Sequence, residues 1–155
     1  MKFQSVSHRI RLAKKSDIPS IIRLRNRDWP GDSGWMTKEA MAKIIDNNPR
    51  LCWVLEVRGN VIGARIASDD FEKRIWGWLL AISPDHKRKG YGTLLFKETN
   101  KAMKRMGYRC LFSVCDPGNV VSKKWHKKMG YRTLCVVPKW FFDDNDASLF
   151  YYRLK

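Results

Sequence analysis

A chain of 155 residues, 44% hydrophobic and 30% charged, with seven tryptophans, has the composition of one ordinary globular domain and not that of a disordered or low-complexity protein. Its formal charge of +16 makes a field that favours polyanions and anionic ligands on any fold. No apolar run is long enough to cross a bilayer and the first residues carry no apolar h-region, so the expectation is a cytoplasmic protein without a signal peptide or a membrane partner.

In chain order, a short strand is expected around residues 8–13. Ser16-Asp17 offers an N-cap to a helix in IPSIIRLRNRDW, where Ile18, Ile21, Ile22 and Leu24 recur at helical spacing and Pro19 is tolerated in the first turn. GDSGW interrupts the pattern. Thr37 then caps a second helix carrying Ala40, Met41, Ile44 and Ile45, which ends near Asn47-Asn48-Pro49. LCWVLEV and VIGARIAS are rich in β-branched and aromatic residues and are joined by Arg58-Gly59-Asn60, which reads as a hairpin. RIWGWLLAISP adds a third strand, closed by Pro84.

The period then changes. YGTLLFKETNKAMKRMG puts Leu94, Leu95, Thr99, Ala102, Met103 and Met106 on one helical face and stops at Gly107. YRCLFSVC reads as a strand, NVVSKKWHKKMG as a helix stopped by Gly130, and YRTLCVV and SLFYYRL as two final strands. A meander followed by a strand-helix-strand crossover predicts a mixed α/β fold, with a sheet of about seven strands flanked by about four helices, in a single domain spanning 1–155.

Cys52, Cys110, Cys115 and Cys135 lack the spacing of a zinc site and the density of a disulfide scaffold, so reduced thiols and no metal are expected. The segment SPDHKRKGYGTLL is more specific. A helix N-terminus exposes unpaired N–H groups and a partial positive charge, so a turn leading into one is an anion site. Gly90 and Gly92 let a phosphate approach the backbone, and Lys87, Arg88 and Lys89 surround it with charge. The alternative is a glycine-bearing loop with solvated cations. Neither a Walker loop nor a dinucleotide fingerprint fits, because no Gly-Lys-Ser/Thr occurs and Leu95 stands where a third glycine belongs.

The loop resembles motif A of the GNAT superfamily of acetyl-CoA-dependent N-acetyltransferases, Arg/Gln-x-x-Gly-x-Gly/Ala after a strand ending Val-x-Pro. Here the strand ends Ile82-Ser83-Pro84 and the loop runs Lys87-Arg88-Lys89-Gly90-Tyr91-Gly92, with Lys at the first position. GNVVSKKWHKKMGYR resembles motif B through Asn119 and Gly130-Tyr131, and IRLAKKSDIPSIIRL resembles the usual opening strand and helix. The resemblance covers the whole chain. It leans toward the protein Nα-acetyltransferases that act on ribosomal-protein alanine, because the segment from Pro138 to Tyr152 resembles their final-hairpin loop.

That resemblance implies the GNAT acyl-CoA N-acyltransferase fold, acetyl-CoA as cosubstrate, no metal, and direct attack by a primary amine on the thioester. It places the pantetheine arm along Leu80, Ala81 and Ile82, and the pyrophosphate on Lys87, Arg88, Lys89, Gly90, Tyr91, Gly92 and Thr93. Asn119, Ser122 and Trp125 of motif B join the cofactor side. His126 stands where the family often has a tyrosine that protonates the departing thiolate; an imidazolium can do the same, and an ordinary histidine at the edge of a core is the other reading. A glutamate that some Nα-acetyltransferases use as base is matched by Ser113, which leaves Asp116 or a relayed water. On the acceptor side, Trp140, Asp143 and Asp144 in the loop, with Trp29 and Trp35 around PGDSGW, are candidates for holding the amine.

A protein N-terminus, a lysine or a small-molecule amine satisfies this description. The competing readings are a nucleic-acid-binding module using Lys97, Lys101, Lys104, Arg105, Lys123, Lys124, Lys127 and Lys128, and a GNAT fold that binds acyl-CoA without catalysis. A monomer or a homodimer is expected.

Overall fold

The computed structural model describes residues 7–28, 37–141 and 143–154. The apolar alternation of the first half resolves into β1 (His8–Leu12), β2 (Cys52–Val57), β3 (Asn60–Asp69) and β4 (Arg74–Ile82), with α1 (Ile18–Asp28) and α2 (Lys38–Asn47) inserted after β1. The second half supplies α3 (Tyr91–Arg105), β5 (Cys110–Cys115), α4 (Val120–Met129), β6 (Arg132–Val137) and β7 (Ala147–Arg153). The element order and the mixed α/β class are those expected from the sequence.

The seven strands form one sheet in the order β1-β2-β3-β4-β5-β7-β6. Every neighbouring pair is antiparallel except β4 and β5, which are parallel across the α3 crossover. Because successive strand residues face opposite sides, each strand feeds two apolar layers. Leu55, Ile75, Phe96, Met103, Leu111 and Phe150 pack on the α3 side, whereas Ile21, Met41, Val54, Ala64, Ile66 and Leu79 pack beneath α1 and α2.

Helix ends follow their local chemistry. Thr37 Oγ1 accepts the Ala40 N–H at 3.1 Å and Asn119 Oδ1 accepts the Ser122 N–H at 3.0 Å, each occupying a donor at the start of its helix. Asp17 differs from the expected N-cap of α1. Its carboxylate turns back to the Lys14 N–H at 2.8 Å and to two Arg11 N–H groups at 2.7 and 2.9 Å, because Arg11 lies against it and also reaches Glu56. The result ties β1, the turn before α1, and β2 together.

A charged side chain is also buried between the sheet and α3. Arg65 of β3 is 3% exposed, and its Nη1 donates to the Phe96 carbonyl at 3.2 Å, to Asn100 Oδ1 at 2.7 Å and to Thr99 Oγ1. Its guanidinium also lies 5.0 Å over the Phe96 ring. These contacts pin α3 to the middle of the sheet.

Candidate active site

Pairing between β4 and β5 runs from Arg74 opposite Cys110 only as far as Gly77 opposite Ser113. Beyond that rung, Val114 and Cys115 stay with β7, while β4 continues to Ile82 with only β3 beside it. The cause lies on the other edge of β4. Gly77 pairs with Ala67 and Leu79 with Ile66, so Trp78 is an extra residue, and such a bulge bends its strand. The outcome is a wedge with its vertex at Gly77 and Ser113 and its floor at Leu80, Ala81 and Ile82.

The wide end of the wedge meets the start of α3. After a single 3-10 turn at Pro84–His86 the chain takes left-handed conformations at Arg88 and Gly90, with φ of 60° and 85°. Gly90 is the N-cap and has no side chain to offer the helix, whose first internal bond is Leu94 N–H to the Gly90 carbonyl at 2.9 Å. The N–H groups of Tyr91, Gly92 and Thr93 are therefore the donors at the open N-terminus. Arg88 and Lys87 are exposed beside them, whereas Lys89 folds back to the Asp85 carbonyl at 2.8 Å. A Cβ at Gly92 would stand 3.6 Å from Ile82 Cγ1, 3.9 Å from Trp125 Nε1 and 4.0 Å from Leu80 Cδ2. Floor, helix start and the α4 wall thus converge on one space that a side chain at Gly92 would begin to fill, which fits an anionic group carrying an extended arm.

Motif B supplies that wall. Asn119 spends its side-chain oxygen on the α4 cap, and Trp125 packs edge-on to Phe96 at 5.4 Å. His126 is 5% exposed, stacked on Phe150 at 4.1 Å with Tyr131 at its edge at 4.8 Å. Its Nδ1–H donates to the Ser122 carbonyl at 2.8 Å, which leaves Nε2 to accept the Ser113 hydroxyl at 3.0 Å. Burial lowers the His126 pKa below its usual value near 6.5, so the ring rests neutral at pH 7. His126 is thus a neutral imidazole whose basic nitrogen accepts from Ser113. Asp116 is half-buried in the loop before α4; its Oδ1 accepts the Gly118 N–H at 2.6 Å and its carbonyl accepts the Asn119 N–H at 2.9 Å.

The opposite face of the vertex is aromatic. Ile75 and Leu111 point into the α3 layer, so their neighbours Trp76 and Phe112 face the α1 and α2 side. Trp76 stacks on Phe112 at 5.1 Å, on Trp140 at 6.0 Å and on Trp78 at 6.3 Å, with interplanar angles of 25–26°, and Phe112 meets Tyr151 at 5.6 Å. All five are half-buried. Of these, Trp140 alone is a candidate from the sequence. The other four come together through register: Trp76 is opposite Phe112, and Phe112 is opposite Tyr151.

The acidic loop beside Trp140 is engaged with itself. Asp146 Oδ1 accepts the Lys139 N–H at 3.1 Å, Asp143 Oδ2 accepts the Asn145 amide at 2.8 Å, and Asp144 Oδ2 lies 3.9 Å from Lys139 Nζ. Trp29, Trp35 and Phe142 lie outside the described residues. Lys97, Lys101, Lys104 and Arg105 of α3 and Lys123, Lys124, Lys127 and Lys128 of α4 are exposed. Among the described residues no group of three or more His, Cys, Asp or Glu is arranged to hold a metal, and no helix is long and apolar enough to cross a membrane.

Comparison with known proteins points the same way as this geometry. Residues 18–131 match the profile of the Acetyltransferase (GNAT) family. A protein described as an uncharacterized N-acetyltransferase from Methanocaldococcus jannaschii is 29% identical over 107 residues, which is 65% of each chain, so this chain spans just under two thirds of that relative's length. The crystal structure of Ard1 from Thermoplasma volcanium superposes with a TM-score of 0.87 at 19% identity, covering 96% of this chain and 98% of that one. The NatC complex bound to Gag peptide and CoA contains a chain that superposes at 0.80 with 14% identity, covering 96% and 99%.

Proposed function

This chain belongs to the GNAT acetyltransferase family, and we propose that it transfers an acetyl group from acetyl-CoA to the α-amine of a peptide or protein whose first residues are apolar. The observation that carries the reading is the wedge itself, closed at Gly77 and Ser113, floored by Leu80 to Ile82, and ending on the uncapped start of α3. Acetyl-CoA supplies the activated acyl group as a thioester.

The chain's own residues do the binding and alignment. The N–H groups of Tyr91, Gly92 and Thr93 hold the pyrophosphate, and Lys87 and Arg88 add screened attraction around it. Gly92 keeps the passage between Ile82 and Trp125 open for the arm. The free edge of β4 past Gly77 offers backbone donors and acceptors to that arm, which directs the acyl carbon to the vertex. Holding amine and thioester together there removes much of the entropic barrier to a bimolecular reaction.

The acceptor assignment rests on the aromatic row. A polyamine or an aminoglycoside is held by convergent carboxylates, and the three exposed acids in the loop turn toward the loop's own groups. Trp76, Phe112, Tyr151 and Trp140 instead present flat apolar area that suits the side chains following an α-amine. The CoA-and-peptide complex of the NatC relative is consistent with such an acceptor.

The test is a panel of amines incubated with acetyl-CoA and read by mass: peptides with apolar first residues, the same peptides with a blocked α-amine and a free lysine, and spermidine. Acetylation confined to the free α-amine supports the proposal. Preferential acetylation of lysine or spermidine would reject it.

A further inference from the structure

Ser113 and His126 belong to different elements and are joined at the vertex of the wedge. Ser113 closes the last rung between β4 and β5 and is half-buried, whereas His126 lies behind it, sealed between Phe150 and Tyr131. The hydrogen bonds fix the direction of the pair. Nδ1–H is committed to the Ser122 carbonyl, so Nε2 is an acceptor and the Ser113 hydroxyl must donate to it. A hydroxyl bonded to an imidazole that a third group orients is the arrangement by which enzymes activate an alcohol.

We infer that Ser113 and His126 act as a two-way proton shuttle, with Ser113 Oγ as the group that touches the reacting atoms. The inference rests on the acetyl-transfer reading above. As the amine nitrogen bonds the acetyl carbon, its surplus proton passes to Ser113 Oγ while the Ser113 proton passes to His126 Nε2. As the carbon–sulfur bond breaks, Ser113 gives its proton to the departing thiolate and takes one back from the imidazolium. The net movement is one proton from nitrogen to sulfur, no electrons are exchanged with any other species, and serine and histidine end as they began.

The surroundings suit a transient charge. From α4, Trp125 and Ser122 face the ring; from β7, Phe150; from the turn after α4, Tyr131; from β5, Ser113, with Cys115 beyond Ser122. Burial raises the ionisation of both Tyr131 and Cys115 above its usual range, so the titratable neighbours are neutral at pH 7. The charges next outward are Arg65 beyond Tyr131, and Asp116 and Lys123 beyond Cys115; among the described residues no carboxylate bonds the ring itself, so an imidazolium formed there is driven to return its proton. A buried histidine that merely fastens α4 to β5 would show none of this chemistry.

The experiment compares wild type, Ser113→Ala and Ser113→Thr for kcat, acetyl-CoA affinity and the pH dependence of kcat, using a peptide that the wild type acetylates. His126 works as a base in its neutral form and burial lowers its pKa, so wild-type kcat should fall only in acid more extreme than the ordinary histidine range. Ser113→Ala should lower kcat by about 100-fold, the low end of acid–base contributions, and flatten that acid limb, with acetyl-CoA affinity within about twofold. Ser113→Thr, which keeps the hydroxyl, should restore kcat to within about tenfold of wild type and bring the limb back. Ser113→Ala with wild-type kcat and an unchanged acid limb overturns the shuttle and leaves the transferase reading standing. An acetyl group trapped on Ser113 also overturns it, in favour of a covalent intermediate. A folded wild type that binds acetyl-CoA and acetylates no amine overturns the shuttle and the transferase reading together.

Discussion

Gly77 and Ser113 form the last rung between β4 and β5, and past them the parallel pair opens around one point. The Trp78 bulge bends β4 on one side, β7 holds β5 on the other, and α3 begins where the gap is widest. The floor of Leu80 to Ile82, the aromatic row and the Ser113–His126 pair all lie around that rung.

Gly92 and Gly90 should respond to substitution in different ways. At Gly92 a Cβ makes contacts of 3.6 to 4.0 Å, ordinary for a packed side chain, and alanine is the better helix former. Gly92→Ala should leave Tm unchanged or raised by a few degrees while weakening acetyl-CoA. Gly90 has φ of +85° and nothing within 4 Å of a built Cβ, so Gly90→Val meets backbone strain and no clash within the protein. That strain, about 1–2 kcal/mol, should lower Tm by roughly 2–8 °C and disturb the turn. Thermal unfolding of the two variants checks the contrast.

Trp76 touches Phe112, Trp140 and Trp78, and stands at the centre of the aromatic row. Trp76→Ala should raise the acceptor KM by about tenfold, equivalent to about 1.4 kcal/mol, with acetyl-CoA affinity unaffected. Steady-state kinetics with each substrate varied in turn separates the two effects. An equal rise in both constants would mean the row is structural.

Arg65 shows how an isolated buried charge is kept by hydrogen bonds. Arg65→Ala leaves a cavity and strips a donor from Phe96, Thr99 and Asn100, at a cost of about 3–5 kcal/mol. Arg65→Met keeps most of the volume and removes the burden of desolvating the charge, so it should cost less than the alanine variant. Chemical denaturation of both proteins measures the difference, and a methionine variant as unstable as the alanine one would show that the hydrogen bonds to α3 dominate.

Asp17 makes stability depend on acid. The Arg11 guanidinium, hydrogen-bonded to the Asp17 carboxylate, and the Lys14 N–H hold its pKa below the usual 3.8. A depressed carboxylate contributes its stabilisation fully above the unfolded value, and that contribution is lost as pH falls through the folded one. Tm should therefore be flat with respect to this group above about pH 5 and decline below pH 4. Asp17→Asn should cost about 1.5–3 kcal/mol at neutral pH and shrink the decline, which unfolding between pH 3 and 7 would read.

The element order was legible because apolar spacing changes from two to about 3.6 and back, and because Gly107 and Gly130 end their helices in left-handed conformations. The turn into α3 was legible for a similar local reason, since Gly90 and Gly92 precede an apolar helical face. Ser113 and His126 were each marked by the resemblance, but nothing local signalled that they touch. They are thirteen residues apart, on β5 and α4, and meet through tertiary packing alone. The aromatic row depends on which residue of β4 faces which of β5, and on β7 entering between β5 and β6. Arg65, within the strand-like VIGARIAS, reads as a solvent-facing position until α3 covers it.

Calorimetric titration of the wild-type protein and Gly92→Ala with acetyl-CoA, with ATP at matched ionic strength as the control anion, tests the wedge most directly. Saturable one-to-one binding of acetyl-CoA that ATP does not match, weakened about tenfold or more by Gly92→Ala, is the predicted result. Equal binding of both anions, or a Gly92→Ala protein with unchanged affinity, would contradict it and reduce the turn before α3 to a basic surface.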